Sequence, residues 1–512
     1  MAEADLVLGY DFGTSSLKAA LFTRDGTIVA AADAAYPLIL PRRGWAEQAP
    51  QDWWRAMQAA TRHLIATVPS APARVKAIGL SAQMGGVVPV GEKGEALANA
   101  LVWLDTRSAP EARALVGGPV MGYGPLRLAR WLWLTGGAPS LSGKDAISKI
   151  AWLRRHRPDL WPRVRRLLDV KDYILHRCTG RFVTSFDSAH LTWLFDARPG
   201  RKRWSGSLLH RIGLDAGLLP DIMGATDIAG TLGAEAAAAL GLAAGTPITG
   251  GAGDVSAAAL GAGNWSGGSA HLYLGTSAWL AARLPRGRLD PLTSIGSLTF
   301  ASGEGHILIA TQENAGAALR WGQALLGLPP DGFGALEEAA SRVTPRRSLP
   351  MFFPWLAGER VPVDDERIRG AFANLSLESG RDEIAYALYE GVALNLRWAM
   401  DSFDRLSGRK GQRLRLVGGG ARSAFWPQLL ADILGREFET TEAPEHCGTL
   451  GAAMTAAVAA GWHSTLEDAA VMARPGRLFR PDAQMRAIHA ARHALFTRYY
   501  SRLRGWQHGF YP

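Results

Sequence analysis

Cysteine is almost absent from this chain, and so are several signals that would assign it to another class of protein. Cys178 and Cys447 are the only cysteines, which excludes a disulfide framework and favours a reducing, cytoplasmic environment. Residues 1–10 contain no basic leader before an apolar core, and every apolar run is interrupted before the ~18 residues that a membrane helix needs. We therefore expect neither secretion nor a membrane partner.

Familiar nucleotide-binding and metal-binding motifs are missing as well. The sequence has no Gly-x-x-x-x-Gly-Lys-Ser/Thr loop and no suitably placed Gly-x-Gly-x-x-Gly. Histidines such as His190 and His271 lack the spacing of a zinc site. The net charge of +10 would attract phosphate-bearing ligands. The basic stretch 154–166 matches no nucleic-acid module and is better explained as a solvated helix surface, so nucleic acid is not an expected partner.

One short motif occurs twice, half a sequence apart. Gly13-Thr14-Ser15-Ser16 and Gly275-Thr276-Ser277 each lie between two apolar, strand-like runs. The repetition predicts two related domains, each directing a tight hairpin into a shared cleft, where backbone N–H groups would bind phosphate oxygens. Only the first copy is preceded by an acid, Asp11, which is suited to hold Mg²⁺ directly or through water.

A third glycine-rich segment follows a predicted strand near the end of the chain. It comprises Gly418, Gly419, Gly420, Ala421, Arg422 and Ser423. Bare glycine backbone allows a flat ring such as adenine to lie against it. The alternative is a plain turn before a helix.

Asp254 is the strongest candidate for chemistry. It follows Gly250-Gly251-Ala252-Gly253 and begins an alanine-rich helix, whose dipole favours the ionised carboxylate. Such a carboxylate could accept the proton of a substrate hydroxyl that attacks a γ-phosphate. The simpler interpretation is an N-cap, and both roles are compatible if each oxygen takes one of them.

Polar residues at two predicted strand ends, after 75–81 and 100–104, are candidates for substrate contacts, because such positions line clefts in α/β folds. The candidates are Gln83, Met84, Gly85, Trp103, Asp105 and Arg107. Asp105 and Arg107 would either bind sugar hydroxyls or pair with each other.

The length of 512 residues predicts two large α/β domains. We place the boundary in the glycine-rich stretch, giving domains 1–252 and 253–512. Strands are expected at 6–12, 17–23 and 27–32, and a helix from residue 50 to about 68 with Asp52 as its cap.

Together these segments resemble the FGGY carbohydrate kinases, and among them the xylulokinases. The resemblance spans nearly the whole chain and lies in ordered blocks: residues 11–16, 47–54, 78–84, 250–254, 274–277, 358–362 and 418–435. It implies two ribonuclease-H-like domains of the actin and sugar kinase type around a catalytic cleft, the first binding sugar and the second nucleotide.

The resemblance also implies the chemistry: MgATP-dependent phosphorylation of a sugar or polyol hydroxyl. Asp254 would be the general base and Asp11 the metal-holding residue. Thr14, Ser15 and the 275–277 turn would surround the phosphates, with Gly419, Gly420 and Ser423 near adenosine. Sugar and ATP are thus the expected partners, and a homodimer is left open.

Three departures concern the sugar. Xylulokinases usually carry His where this chain has Gly85, Asn where it has Leu104, and Asn where it has Val255. Each change removes a polar group, and a pocket that stops hydrogen-bonding a hydroxyl stops requiring it. We therefore expect D-xylulose to be a poor substrate and a bulkier, deoxygenated or less polar sugar or polyol to be preferred.

Other functions fit the sequence less well. A ribulose, glycerol or other polyol kinase would share the scaffold, although glycerol kinases usually carry Arg-Glu where this chain has Met84-Gly85. An actin-like or chaperone-like ATPase would not need Asp254 beside a sugar-facing strand end. A regulator without activity would not need to keep both Asp11 and Asp254.

Overall fold

A computed structural model describes residues 4–120, 122–263, 270–330 and 332–510. Two mixed β-sheets form the centres of two lobes. The first sheet has the strand order Ile228–Thr231, Pro247–Thr249, Val75–Ala82, Leu6–Phe12, Ser16–Phe22, Ile28–Ala35, and Ala252–Gly253 also pairs with Val75–Ala82. Its first three strands in the chain are antiparallel, and Val75–Ala82 then joins Leu6–Phe12 in parallel.

The second sheet repeats this plan. Its strand order is Leu289–Asp290, Ile295–Thr299, His306–Gln312, Ala278–Leu284, Ala270–Leu274, Leu414–Val417, Phe438–Thr441, Pro475–Phe479. Ala270–Leu274 pairs antiparallel with Ala278–Leu284 and in parallel with Leu414–Val417, as Leu6–Phe12 does with its own two neighbours. The predicted pair of related α/β domains is confirmed.

Helices cover the sheets and fill the space between them. Those of the first lobe are Pro50–Thr67, Ala71–Arg74, Ala109–Val116, Pro125–Thr135, Ala146–His156, Val170–Thr179, Phe186–Leu191, Gly206–Ile212 and Ala234–Leu240. The remainder are Asp254–Gly261, Gly316–Leu325, Gly334–Ser341, Arg381–Ser407, Phe425–Leu434, Cys447–Ala459, Leu466–Ala469 and Arg486–His508. None of these helices, within the described residues, combines the length and hydrophobicity that a membrane crossing requires.

Two helices connect the lobes. Asp254–Gly261 and Cys447–Ala459 pack against each other in an apolar cluster that also includes residues from both sheets. Cys447–Ala459 additionally contacts Leu6–Phe12 and Val75–Ala82 of the first sheet. This arrangement brings the start of each helix to the carboxyl ends of those strands, where the predicted site residues lie.

Candidate active site

The first hairpin is anchored by side chains from the surrounding lobe. The Gly13 N–H donates to the Ser16 carbonyl at 3.0 Å, which closes the turn. Trp103 Nε1 donates to Thr14 Oγ1 at 3.0 Å, and Gln83 Nε2 donates to the Gly13 carbonyl at 3.2 Å. Two predicted substrate residues thus contact the predicted phosphate loop directly, while Ser15 is exposed at the tip.

Asp11 ends its strand beside this hairpin. Its Oδ1 accepts a hydrogen bond from Ser81 Oγ at 2.7 Å. Burial raises the pKa of the Asp11 carboxyl, while Ser81 and the charge of Lys18 act in the opposite direction. Mg²⁺ in phosphate sites typically takes one or two carboxylates together with substrate phosphates and water, so a single strand-end carboxylate beside a hydroxyl-rich loop fits that ion.

Asp254 has one oxygen in a local hydrogen bond and one that is available. Gly253 precedes the helix as its N-cap and Asp254 is the first helical residue, so the N-cap interpretation of Asp254 is wrong. Asp254 Oδ1 accepts the Val255 N–H at 2.9 Å, whereas Oδ2 accepts no hydrogen bond from the described residues. Burial, and next the charge of Asp11, raise the pKa of Asp254 to about 8. The two carboxyl groups therefore share one weakly solvated site.

The second hairpin lies next to the third glycine segment. The Gly275 N–H donates to the Ser277 carbonyl at 2.9 Å, and the carbonyls of Gly275 and Thr276 accept N–H groups from the start of Gly316–Leu325. Gly418 approaches the Leu274 carbonyl so closely that a Cβ there would lie 2.5 Å from the oxygen. The 275–277 turn and the 418–423 segment therefore adjoin one another.

The glycine segment itself is a short 3-10 turn, Gly419–Arg422, in which Gly419 is exposed. Gly420 faces the Trp426 ring, since a Cβ added there would lie 2.7 Å from it. Ser423 Oγ accepts the Trp426 N–H, in the first turn of the following helix, at 2.9 Å. The adenosine role of Gly419, Gly420 and Ser423 stays a prediction.

Gly85 lies in a loop, and side chains hydrogen-bond to both its backbone N–H and its carbonyl. Its φ is +78°, in the left-handed region that favours glycine. Asp169 Oδ2 accepts its N–H at 3.1 Å, and Lys149 Nζ donates to its carbonyl at 2.7 Å. Burial raises the pKa of Asp169 to about 7 and lowers that of Lys149 to about 8. Sequence reasoning assigned no role to either residue, and each contact joins segments more than 60 residues apart.

The open side of Gly85 faces an apolar side chain and a backbone carbonyl. A Cβ at Gly85 would lie 3.6 Å from Leu191 Cδ2 and 4.0 Å from both Trp103 Cβ and the Lys144 carbonyl. Met84 packs against Gly253, immediately before Asp254, and Val255 and Leu191 join the cluster between the lobes. Leu104 packs instead against the core of the first lobe. Of the three departures, Gly85 and Val255 thus lie near Asp254, whereas Leu104 does not share their cluster.

Asp105 and Arg107 pair with each other, one of the two alternatives that the sequence left open. Arg107 Nε donates to both Asp105 oxygens at 3.0 and 2.8 Å, and its Nη2 lies 2.7 Å from Glu47 Oε1. The Arg107 guanidinium also stacks 3.6 Å above the Trp45 ring. Their predicted contact with sugar remains untested, but both side chains already have protein partners.

Asp187 is a further residue that the sequence did not single out. Its Oδ2 accepts the Gly253 N–H at 2.9 Å, and its Oδ1 accepts the Ser188 N–H and the Ser185 hydroxyl. It therefore fixes the backbone immediately before Asp254. No local pattern indicates this contact, because Asp187 is 66 residues away in the chain.

Comparison with known proteins assigns the chain to a family. A model of the N-terminal domain of the FGGY family of carbohydrate kinases matches residues 6–261, and the corresponding C-terminal model matches residues 272–460. The chain belongs to the FGGY family of carbohydrate kinases. It is accordingly a sugar kinase, a phosphotransferase that uses ATP, and its two-lobed α/β fold is the one shared by that family.

Relatives of this kinase carry more than one substrate name. Xylulose kinase of Escherichia coli (strain K12) is 31% identical over 97% of this chain and 99% of its own length. Gluconokinase of Bacillus subtilis (strain 168) is 27% identical over 89% of this chain and 88% of its own length. The crystal structure of a xyloylose kinase from Brucella ovis superposes with a TM-score of 0.85 at 28% identity, covering 98% of this chain and all of that chain.

Proposed function

We propose that this kinase transfers the γ-phosphoryl group of MgATP to a hydroxyl of a ketose or polyol, with Asp254 as the general base. The supporting observation is the half-buried Asp254 carboxylate, which keeps Oδ2 available beside Asp11 and the first hairpin. A pKa of about 8 lies near neutral pH, where a general base combines sufficient ionisation with sufficient basicity.

The proposed step follows from that geometry. Asp254 Oδ2 accepts the proton of the sugar hydroxyl while the sugar oxygen forms a bond to the γ-phosphorus. The bond between the γ-phosphorus and the bridging oxygen breaks, and ADP leaves. The backbone N–H groups of the two hairpins would bind the phosphate oxygens. Asp11 would hold Mg²⁺, which supplies positive charge for the phosphates.

The substrate is proposed to be less polar than D-xylulose near Gly85. Gly85 offers no side chain, and Leu191 lies 3.6 Å from the place where one would begin. Val255 adds another apolar group next to the base. A hydroxyl directed at Leu191 or Val255 would lose its hydration without gaining a partner from these side chains, which costs free energy. A deoxy carbon or an apolar substituent at that position would bind without this cost.

The adenosine contacts and the cellular location are proposed from the position of the glycine segment and from the state of the cysteines. Gly419, Gly420 and Ser423 adjoin the second hairpin and would hold adenosine. Cys178 and Cys447 are both buried free thiols, which suits the reducing cytoplasm.

The decisive experiment pairs a substrate screen with one substitution. Ketoses, aldoses and polyols, including D-xylulose and 1-deoxy-D-xylulose, are offered with MgATP, and phosphorylated products are detected by mass spectrometry. Asp254→Asn should lower kcat on the best substrate by about 10³-fold or more while ATP binding persists, because the base is lost. The matched control is Asp52→Asn, which removes a carboxylate from the first turn of another helix.

Two results would contradict the proposal separately. Near-normal turnover by Asp254→Asn would exclude Asp254 as the base. Rapid turnover of D-xylulose at a low KM would leave the kinase assignment intact and refute the altered pocket.

A further inference from the structure

A stacked aromatic pair flanks the second hairpin on the side that faces the other lobe. Tyr273 and Trp279 are opposite each other across the two strands that the hairpin joins. Their ring centroids are 3.8 Å apart and the rings are inclined by only 6°. Leu272 and Leu274 pack into the core of the second lobe, whereas Tyr273 and Trp279 pack into the cluster between the lobes.

The Tyr273 hydroxyl lies close to Gly275, the first residue of the hairpin. A Cβ at Gly275 would lie 2.5 Å from Tyr273 Cε1 and 3.2 Å from its Oη. The ring therefore covers the backbone of the predicted phosphate-binding turn, and the hydroxyl lies directly beside it. Tyr273 is only partly buried, and its hydroxyl makes no hydrogen bond to any described residue.

The electrostatic surroundings support a role for a neutral donor. Burial, followed by the charges of Cys447, Asp11 and Asp254, raises the pKa of Tyr273 well above its ordinary value. The hydroxyl consequently keeps its proton, and the same interactions show that it shares the cleft with both carboxylates. A phenol can donate a hydrogen bond to a phosphate oxygen without adding a further negative charge.

We propose that Tyr273 is an additional catalytic residue, whose Oη donates a hydrogen bond to a γ-phosphoryl oxygen of ATP during transfer. Three features of the structure support it: the hydroxyl lies beside Gly275, it has no partner among the described residues, and the stack on Trp279 holds the ring in place. The inference rests on the proposed phosphate role of the 275–277 hairpin. Fixed donors aimed at oxygens that gain charge in the transition state stabilise it selectively.

Tyr273→Phe tests this directly, because it removes the hydroxyl and keeps the ring stacked on Trp279. We expect kcat to fall by about 10- to 100-fold, as for the loss of one hydrogen bond to a charged oxygen. The affinity for ADP, measured by calorimetry, should be unchanged, because ADP lacks the γ-phosphoryl group. The melting temperature should also be unchanged.

A matched control removes another hydroxyl from the same lobe. Tyr386 lies in the helix Arg381–Ser407, and its buried hydroxyl also lacks a hydrogen-bond partner in the described structure. Tyr386→Phe should therefore leave kcat unchanged. A fall in kcat that Tyr386→Phe reproduces, or that comes with an equal loss of ADP affinity, would overturn the proposal in favour of a structural role.

The outcomes separate this inference from the function on which it rests. If the unmodified protein phosphorylates a sugar and Tyr273→Phe matches its kcat, Tyr273 is not catalytic and the proposed function stands. If the unmodified protein phosphorylates none of the sugars or polyols offered, the proposed function fails, and the role of Tyr273 fails with it.

Discussion

The two Gly-Thr-Ser hairpins have the same backbone plan and different surroundings. In the first, the carbonyls of Gly13 and Thr14 accept hydrogen bonds from the side chains of Tyr36, Gln83 and Gln48. In the second, the carbonyls of Gly275 and Thr276 accept backbone N–H groups from the start of a helix. The first hairpin is thus held by side chains of its lobe, while the second is held by the backbone of a helix in its lobe.

The two hairpins also differ in the charge of the residues beside them. The first has Asp11 at its base and Asp254 nearby, and each carboxyl has a raised pKa. The second has Tyr273 and Trp279 at its base, which are neutral. The same hairpin plan therefore occurs in both lobes, and the residues just outside each turn give the two hairpins different electrostatic surroundings.

After Asp254→Asn, the largest effect is expected where the helix Cys447–Ala459 meets Asp11. A Cβ at Gly448 would lie 2.0 Å from Asp11 Oδ2 and 2.5 Å from its Cγ, so the carboxylate of Gly448→Ala must move. A displacement of about 1 Å at a reacting centre costs on the order of 100-fold in rate. We expect kcat to fall by about that factor and the Mg²⁺ concentration for half-maximal rate to rise.

Gly505→Ala provides the control for that substitution. Gly505 lies in the helix Arg486–His508, and a Cβ there would meet nothing within 4 Å. Its alanine variant should keep full activity and gain slightly in stability. Equal kinetics for both variants would show that Gly448 does not position Asp11.

A smaller effect is expected at an ion pair that crosses between the lobes. Lys144, whose backbone carbonyl lies near Gly85, has its Nζ 3.1 Å from Glu313 Oε1 in the second lobe, and Arg360 Nη2 lies 2.7 Å from the same oxygen. Lys144→Met should weaken closure over the sugar and raise the sugar KM by about 2- to 5-fold, the effect of ~1 kcal/mol or less for a partly exposed pair. The KM of the variant should also depend less on salt than that of the unmodified protein.

Lys76→Met is the corresponding control. Lys76 forms an exposed pair with Asp5 at 3.2 Å, within the first lobe. It should leave both the KM and its salt dependence unchanged. A Lys144→Met enzyme with the unmodified salt dependence would show that the cross-lobe pair does not assist closure.

Local patterns predicted the framework of the first lobe well. Strands were expected at 6–12, 17–23 and 27–32 and are found at Leu6–Phe12, Ser16–Phe22 and Ile28–Ala35. The helix predicted from residue 50 to about 68 is Pro50–Thr67, but its N-cap is Ala49, and Asp52 pairs with Arg55 instead. The strand predicted at 100–104 extends only over Ala100–Leu101. Turn residues and periodicity act over a few positions, so they fix the elements better than their ends.

The side chains that hold the backbone of Gly85 and Gly253 could not be predicted from the sequence, for a different reason. Asp169, Lys149 and Asp187 hold the backbone of Gly85 and Gly253, and none of them lies near its partner in sequence. Their neighbours along the chain form ordinary helices, so no local signal marks the contact. Tyr273 was overlooked because an aromatic residue in a strand before a turn is usually core. Only its position relative to Gly275 distinguishes it.

The smallest expected effect concerns stability and follows from the opposite electrostatics of two carboxylates. Glu313, between Arg360 and Lys144, has its pKa lowered to about 2, whereas Asp254 has its pKa raised from 3.8 to about 8. Below pH 3.8 Asp254 is protonated in both the folded and the unfolded chain. Between pH 3.8 and about pH 8, Asp254 holds a proton in the folded chain that it has released in the unfolded chain. Rising pH therefore favours unfolding over this range. Above pH 8 this cost no longer changes.

Asp254→Asn removes that cost, because an amide does not ionise. Its melting temperature should therefore exceed that of the unmodified protein by a margin that grows from pH 4 to pH 8, reaching roughly 1–3 °C, and then stays level. Differential scanning calorimetry of both proteins across this range measures the margin. Asp52→Asn, at an exposed ion pair, should show no such growth. A margin that stays flat or shrinks would mean that Asp254 is ionised in the folded enzyme at neutral pH, as Glu313 is, and the contrast between these two carboxylates would be lost.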